Sequence, residues 1–166
     1  RRTRLYFKPI DDDKAPFTKL LDEFDAAYTF VGNTKNVFYL LTDLDAPLGK
    51  IVAIDLKHPS RDRWQVLIPE RKDKLEEARN IGGGFLAIWL HDAHHQVSFH
   101  DVKGVERHQI DLPELGTVSG FVGEATDPAV YYAFTSFTQP GSVFRIDLDT
   151  AKSTLFRKAE VPFDAS

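Results

Sequence analysis

Three short stretches of the chain are apolar almost without interruption: NVFYLLTD (36–43), GFLAIWLHD (84–92) and AVYYAFTS (129–136). Each is rich in β-branched and aromatic residues and is bounded by Gly, Asn, Asp or Pro, the pattern of a strand covered on both faces. Across a turn from each lies a second run, KIVAIDL (50–56), QVSFHDV (96–102) and SVFRIDL (142–148), ending in an acidic and then an aliphatic residue. Asp55, Asp101 and Asp147 are 46 residues apart and again 46, and a further step of 46 back from Ile51 reaches Leu5 in TRLYFKPI. The chain is a tandem repeat.

Repeats of about 40 to 50 residues belong either to helical solenoids or to propeller blades, and the local period decides between them. The spacing predicts four strands per repeat. In the first they are Ala26–Gly32, Val37–Thr42, Lys50–Leu56 and Trp64–Ile68; in the second Leu75–Ile81, Phe85–Leu90, Gln96–Val102 and Glu106–Ile110; in the third Thr117–Val122, Val130–Thr135, Ser142–Leu148 and Ser153–Arg157. The only helix-like segment, RKDKLEEARN (71–80), reads better as a polar connection running into a first strand. Residues from Arg4 to Leu21 read as the outer two strands of a preceding blade. The fold class expected is all-β: a partial β-propeller of about three four-stranded antiparallel blades plus the outer strands of a fourth. The limits are 1–24 for those outer strands, 25–70, 71–113 and 114–160 for the blades, and 161–166 for the start of a linker.

Composition narrows the partners. With 42% hydrophobic and 28% charged residues the chain has the balance of a globular protein, and a net charge of −4 argues against nucleic acid and anionic membrane. There is no cysteine, so neither disulfides nor thiolate chemistry arise. The chain holds no methionine and starts inside a strand pattern, which makes it read as a piece of something longer.

DEFDAAYTFVGN (22–33), TDLDAPLGKIVAIDL (42–56), WQVLIPE (64–70), WLHDAHH (89–95) and, above all, VYYAFTSFTQPGSVFRIDL (130–148) resemble the later blades of the propeller domain of the prolyl oligopeptidase (prolyl endopeptidase) family. The likeness runs in order along almost the whole chain, and FTSFTQPG (134–141) is its most specific element. The resemblance implies serine peptidases in which a seven-bladed propeller covers an α/β-hydrolase domain and admits only oligopeptides to a Ser-Asp-His triad that cuts after proline. It further implies that these blades are the last of the seven and that VPFDAS (161–166) leads toward the hydrolase domain. The partners implied are that catalytic domain and oligopeptide substrates. Relatives occur in more than one compartment, so the location is cytoplasmic or periplasmic.

No catalytic, cofactor-binding or metal-binding residue is expected. A hydrolase of this class needs G-x-S-x-G on a strand-to-helix turn, and the nearest approach, GTVSG (116–120), has its Ser one place late among strands. Ser119 is therefore read as an ordinary strand residue, and the chain by itself as inactive. HDAHH (91–95) offers three imidazoles and a carboxylate, but a spacing of four converges on a helix face and not across a β-turn, so it reads as a solvated hairpin tip. GGG (82–84) opens no helix and reads as a turn, and DDDK (11–14) as a solvated acidic loop. Asp55, Asp101 and Asp147 are expected to accept backbone hydrogen bonds in the turns they begin. The copies differ in length at the turn between second and third strands, eight residues from Asp43 to Ile51, five from Asp92 to Val97 and seven from Ser136 to Val143, and function is expected there. Two classes remain: a gating domain of a peptidase, with self-association through cut blade faces when isolated, and an independent propeller serving as a protein-interaction scaffold.

Overall fold

The structure, a computed structural model, describes residues 2–138 and 141–158. The calls on Gln139 and Pro140 of FTSFTQPG and on the 161–166 linker lie outside the described residues. The chain divides into two compact units, Arg1–Lys72 and Asp73–Ser166.

The first unit holds a two-stranded hairpin, β1 (Leu5–Phe7) with β2 (Thr18–Leu21), and a four-stranded antiparallel sheet in chain order. That sheet is β3 (Tyr28–Thr34), β4 (Val37–Thr42), β5 (Lys50–Asp55) and β6 (Gln65–Ile68). Hairpin and sheet share one core, in which Leu21 packs with Ala26, Tyr28, Leu40, Val52 and Ile54, with Leu5 and Trp64 at its margin. Phe7 meets Phe38 edge-on at 5.4 Å between ring centroids. At the rim Arg61 binds Asp25 at 2.6 Å and stands 5.7 Å over the Trp64 ring. Burial, and then the hydrogen bond to Asp25, push the Tyr28 phenol up to about 12.

The second unit is two sheets of the same order. One is β7 (Lys74–Ile81), β8 (Gly84–His91), β9 (His94–Asp101) and β10 (Glu106–Ile110). The other is β11 (Thr117–Val122), β12 (Ala129–Thr135), β13 (Ser142–Asp147) and β14 (Lys152–Arg157). Their facing residues form one core: Leu86, Ile88, Val97 and Phe99 against Val130, Tyr132, Phe134, Phe144 and Ile146. This is blade-on-blade packing of the kind that the expected propeller requires. The KLEEAR segment, good helix formers throughout, is strand because Leu75, Ala78 and Ile81 are drawn into the core and pairing with β8 fixes the rest.

The 46-residue period is visible in the register. Leu5 pairs with Leu21, Ile51 with Ile68, Val97 with Ile110 and Val143 with Arg157. In three of the four hairpins the ladder slips at the next step, passing over Leu20, Leu67 and Phe156, so the strand and its bulge repeat together. Ser119 is an exposed strand residue opposite Ala133, and Gly120, at φ +63, takes up the bulge before Val122 resumes the ladder. The GGG segment is a turn. Gly82 and Gly83 sit at φ +63 and +75 and donate to the carbonyls of Glu124 and Ala125 at 3.1 and 2.5 Å, and a Cβ on Gly82 would fall 2.0 Å from Leu148 Cδ1. The turn is a peg between the two sheets.

The repeated aspartates close the turns after their strands. Asp55 accepts from the Lys57 amide at 2.9 Å, Asp101 from the amides of Lys103 and Val105 at 2.9 and 3.0 Å, and Asp147 from the Thr150 amide at 3.0 Å. These backbone donors hold the Asp55 and Asp147 carboxyls below the usual carboxylate range. At Asp101 loss of solvent works in the opposite direction, but the Val105 amide and the Arg107 guanidinium outweigh it. A carboxyl depressed in the folded state contributes stability that is present above its unfolded value, roughly 4, and is lost as pH falls through the folded value. Asp147→Asn is therefore expected to lower the urea midpoint at pH 7 and to flatten its decline below pH 4. Parallel pH curves for the two proteins would show that this carboxylate adds nothing.

Candidate functional site

The turn between second and third strands is the site to examine, and the second unit carries two copies of it. Between β8 and β9 the turn is reduced to Asp92 and Ala93, both with positive φ (42 and 64), a hairpin turn that places residues 91 and 94 directly opposite each other. Between β12, which ends at Thr135, and β13, which begins at Ser142, the connection is longer. With the connection at 111–116 these turns border two adjoining clefts of about 510 and 500 Å³ that share His94 and Leu115. The first is lined by Ala93, Gly116, Thr135 and Phe137 among others, and the second by Gln96, Gln109, Leu112 and Glu114.

HDAHH is a hairpin tip, with Asp92 and Ala93 exposed, but its imidazoles are not left to solvent. Only Asp92 and Ala93 form the turn, while His91, His94 and His95 belong to the ladder and each is held. His91 Nδ1 lies 2.8 Å from the Asp73 carboxylate, and the rings of His91 and His94 meet edge-on at 5.4 Å. The His95 side chain is only 14% exposed. Its Nδ1 lies 3.0 Å from the Val118 amide and 3.2 Å from the Val118 carbonyl, and its Nε2 lies 3.2 Å from the Glu76 carboxylate. Together with the bond from the His95 amide to Gly116 O at 2.9 Å, this ring ties β9 to β11. The imidazoles point to different partners, and His95 is a fastener between sheets.

Glu114 is one of two carboxylates that line the second cleft, with Asp111. It accepts from the hydroxyls of Ser136 and Thr138, the latter at 2.5 Å, and these two bonds hold its carboxyl below the usual range. The pair pins the start of the longer turn to the connection between the sheets. Leu115, 72% exposed, and Phe137, fully exposed, stand beside the clefts as large apolar groups in water. What this arrangement offers is shape, apolar surface and a few hydrogen-bonding groups, the means of contacting another polypeptide. The sequence reading placed function at these turns but passed over Glu114, Leu115 and Phe137. DLPELG, which carries two of them, shows no periodicity that would mark it.

The comparisons with known proteins give the arrangement its context. The family described as "Prolyl oligopeptidase, N-terminal beta-propeller domain" matches residues 1–159. The chain belongs to that family. It is 34% identical over 161 residues to a prolyl endopeptidase of Elizabethkingia meningoseptica, covering 96% of this chain and 22% of that protein. Against the dual function macrocyclase-peptidase of Amanita bisporigera it is 26% identical over 170 residues, covering 97% and 23%. Among solved structures, one from a study of two prolyl endopeptidases and the role of inter-domain dynamics superposes with a TM-score of 0.85 at 31% identity, over 96% of this chain and 23% of the other. The apo form of prolyl oligopeptidase B from Galerina marginata gives 0.83 at 23% identity, over 98% and 24%, a likeness of fold. The chain thus spans between a fifth and a quarter of the length of these relatives. It is a partial propeller, three four-stranded blades with the outer hairpin of a fourth, of the prolyl oligopeptidase type.

Proposed function

We propose that the chain is the blade portion of a propeller that governs entry of peptides to the catalytic domain of a proline-specific serine oligopeptidase. The observation that carries this is the family match over 1–159 on a chain whose outer hairpins repeat with one register, three of the four with the same bulge. On this reading the blades supply no nucleophile. GTVSG lacks the elbow spacing, and its Ser119 stands in a sheet with no helix behind it, so the chemistry belongs to a separate hydrolase domain. The blades act by size: a ring of rigid sheets leaves a passage that an extended oligopeptide threads and a folded protein does not.

The proposed blade limits are 25–70, 71–113 and 114–160, with 161–166 leading on toward the hydrolase domain. The test is the sequence encoded immediately after Ser166. A hydrolase domain with a G-x-S-x-G elbow is the expected result. A stop codon, or a further blade followed by no hydrolase, would overturn the proposal in favour of an interaction scaffold.

A further inference from the structure

The two adjoining clefts of the second unit combine apolar surface with charge of one sign. In the wall of the first, the exposed Leu115 and Phe137 stand with Ala93 and Gly116, and the Asp92 carboxylate is open to solvent. The second sets the carboxylates of Asp111 and Glu114 among the side-chain amides of Gln96 and Gln109. The basic groups among the described lining residues are the imidazoles of His94 and His95, and neither wall contains a Lys or an Arg. Three carboxylates therefore share one place with no guanidinium or ammonium in the lining to balance them.

Asp92 stands 3.5 Å from His91 Nε2, but the other two remain open to a ligand. Asp111 meets Lys152 in a backbone bridge and makes no ion pair with a described residue. Glu114 accepts from Ser136 and Thr138 on the same oxygen, Oε1, and its Oε2 takes no hydrogen bond from a described residue. The two hydroxyls thus hold this carboxylate in position and in its ionised form, with one oxygen left for a donor. Exposed Leu and Phe side chains beside a positioned carboxylate are the complement of a segment that carries an apolar residue and a cation. Spacing restricts how those two are arranged. In an extended peptide, side chains two residues apart leave the same edge, about 7 Å from each other. Clefts of about 510 and 500 Å³ that share His94 and Leu115 are neighbours on that scale, each with room for one large side chain.

We propose that these clefts bind an oligopeptide segment with an apolar and a basic residue on either side of one intervening residue. The apolar side chain lies against Leu115 and Phe137, and the basic one against Glu114 and Asp111. The site adds selection by sequence, away from the bond that is cut, to selection by size. The inference rests on reading the chain as the propeller of an oligopeptidase, and the experiment separates the two.

Full-length protein, first treated with an active-serine phosphonate so that nothing is cut, is titrated into fluorescein-labelled, proline-free peptides of Ser and Gly. These carry Phe-Ser-Lys or Phe-Ser-Glu, each in both chain directions. Fluorescence anisotropy is expected to show the Lys peptide bound about fivefold or more tighter than the Glu peptide at 50 mM salt, and less than about twofold tighter at 0.5 M, where charge is screened. Glu114→Gln keeps an oxygen for Ser136 and Thr138 while removing the charge, and should bring the preference below about twofold. Phe137→Ala should weaken both peptides alike, by about threefold. Should Glu114→Gln fail to fold, Asp111→Asn and the salt response of the wild type decide. Equal binding of the two peptides, or a preference for Lys that survives both carboxylate substitutions, would overturn the proposal. So would substitutions that lower the melting midpoint of the full-length protein without changing peptide binding, in favour of clefts filled by another part of the same polypeptide. Phosphonate labelling without the Lys preference would leave the peptidase standing and remove the site. The preference in a protein that takes no label would keep the site and remove the peptidase.

Discussion

Phe134→Ala is expected to destabilise the second unit by about 3–5 kcal/mol, the usual cost of removing a buried phenylalanine and leaving the space unfilled. Phe134 is fully buried at the centre of the core between the two sheets and meets Phe144 edge-on at 5.7 Å between centroids. Collapse around the vacancy is hindered on the other side, where the ring lies on the backbone of Gly116: a Cβ there would fall 2.6 Å from its Cζ. With a urea m-value of about 2 kcal/mol/M the midpoint should fall by roughly 2 M. Phe137→Ala, three residues further along the chain at a fully exposed ring, is the control and should change stability by no more than about 0.5 kcal/mol. A Phe134→Ala protein within about 1 kcal/mol of the wild type would mean that the two sheets do not share a packed core.

The second large effect concerns a buried polar chain inside β8 and β9. Trp89 Nε1 donates to Ser98 Oγ at 2.8 Å, and Ser98 Oγ is 2.8 Å from His100 Nε2. His100 Nδ1 lies 3.1 Å from Gly104 O, and because a carbonyl only accepts, the imidazole proton is on Nδ1. Nε2 is then the acceptor for the serine hydroxyl, and every hydrogen in the chain points one way. Ser98→Ala removes both bonds from groups that are almost wholly buried, at about 1–3 kcal/mol for each, so a loss of roughly 2–5 kcal/mol is expected. Ser98→Thr keeps the hydroxyl and should recover much of it. The check is urea unfolding together with the ¹⁵N shifts of His100, which in the wild type should report a proton on Nδ1. An alanine variant as stable as the wild type would show that the serine is not a link in the chain.

Much of the fold is legible in the sequence because a blade's middle strands are apolar almost throughout, buried along nearly all of β8 and at alternate or adjacent positions in β4 and β12. VFYLLT, FLAIWL and VYYAFT can be little else once helix is excluded by length and bounding residues, and the recurrence of Asp55, Asp101 and Asp147 fixes the period. Strand ends are set within two residues by the same bounds: Val37–Thr42, Glu106–Ile110 and Thr117–Val122 occur as read. The site is less legible, for a physical reason. His95 is defined by Val118 and Glu76, 23 and 19 residues away, and nothing local in HDAHH announces either partner. The same holds for Glu114, whose role depends on Ser136 and Thr138. Spacing in the sequence carries the repeat, while partners this far apart along the chain meet only in the folded protein.

If the blades regulate entry by size, the measurement that reaches this most directly is kcat/KM of the full-length protein over a series of substrates carrying one identical Gly-Pro cleavage site. The series would run from a fluorogenic dipeptide through peptides of increasing length to the same site displayed in an exposed loop of a folded protein. The account predicts similar values for the short peptides and a drop of at least a hundredfold for the folded display, with the drop abolished in a protein from which the blades have been deleted. Equal kcat/KM for the short peptides and the folded display in the intact protein would contradict it.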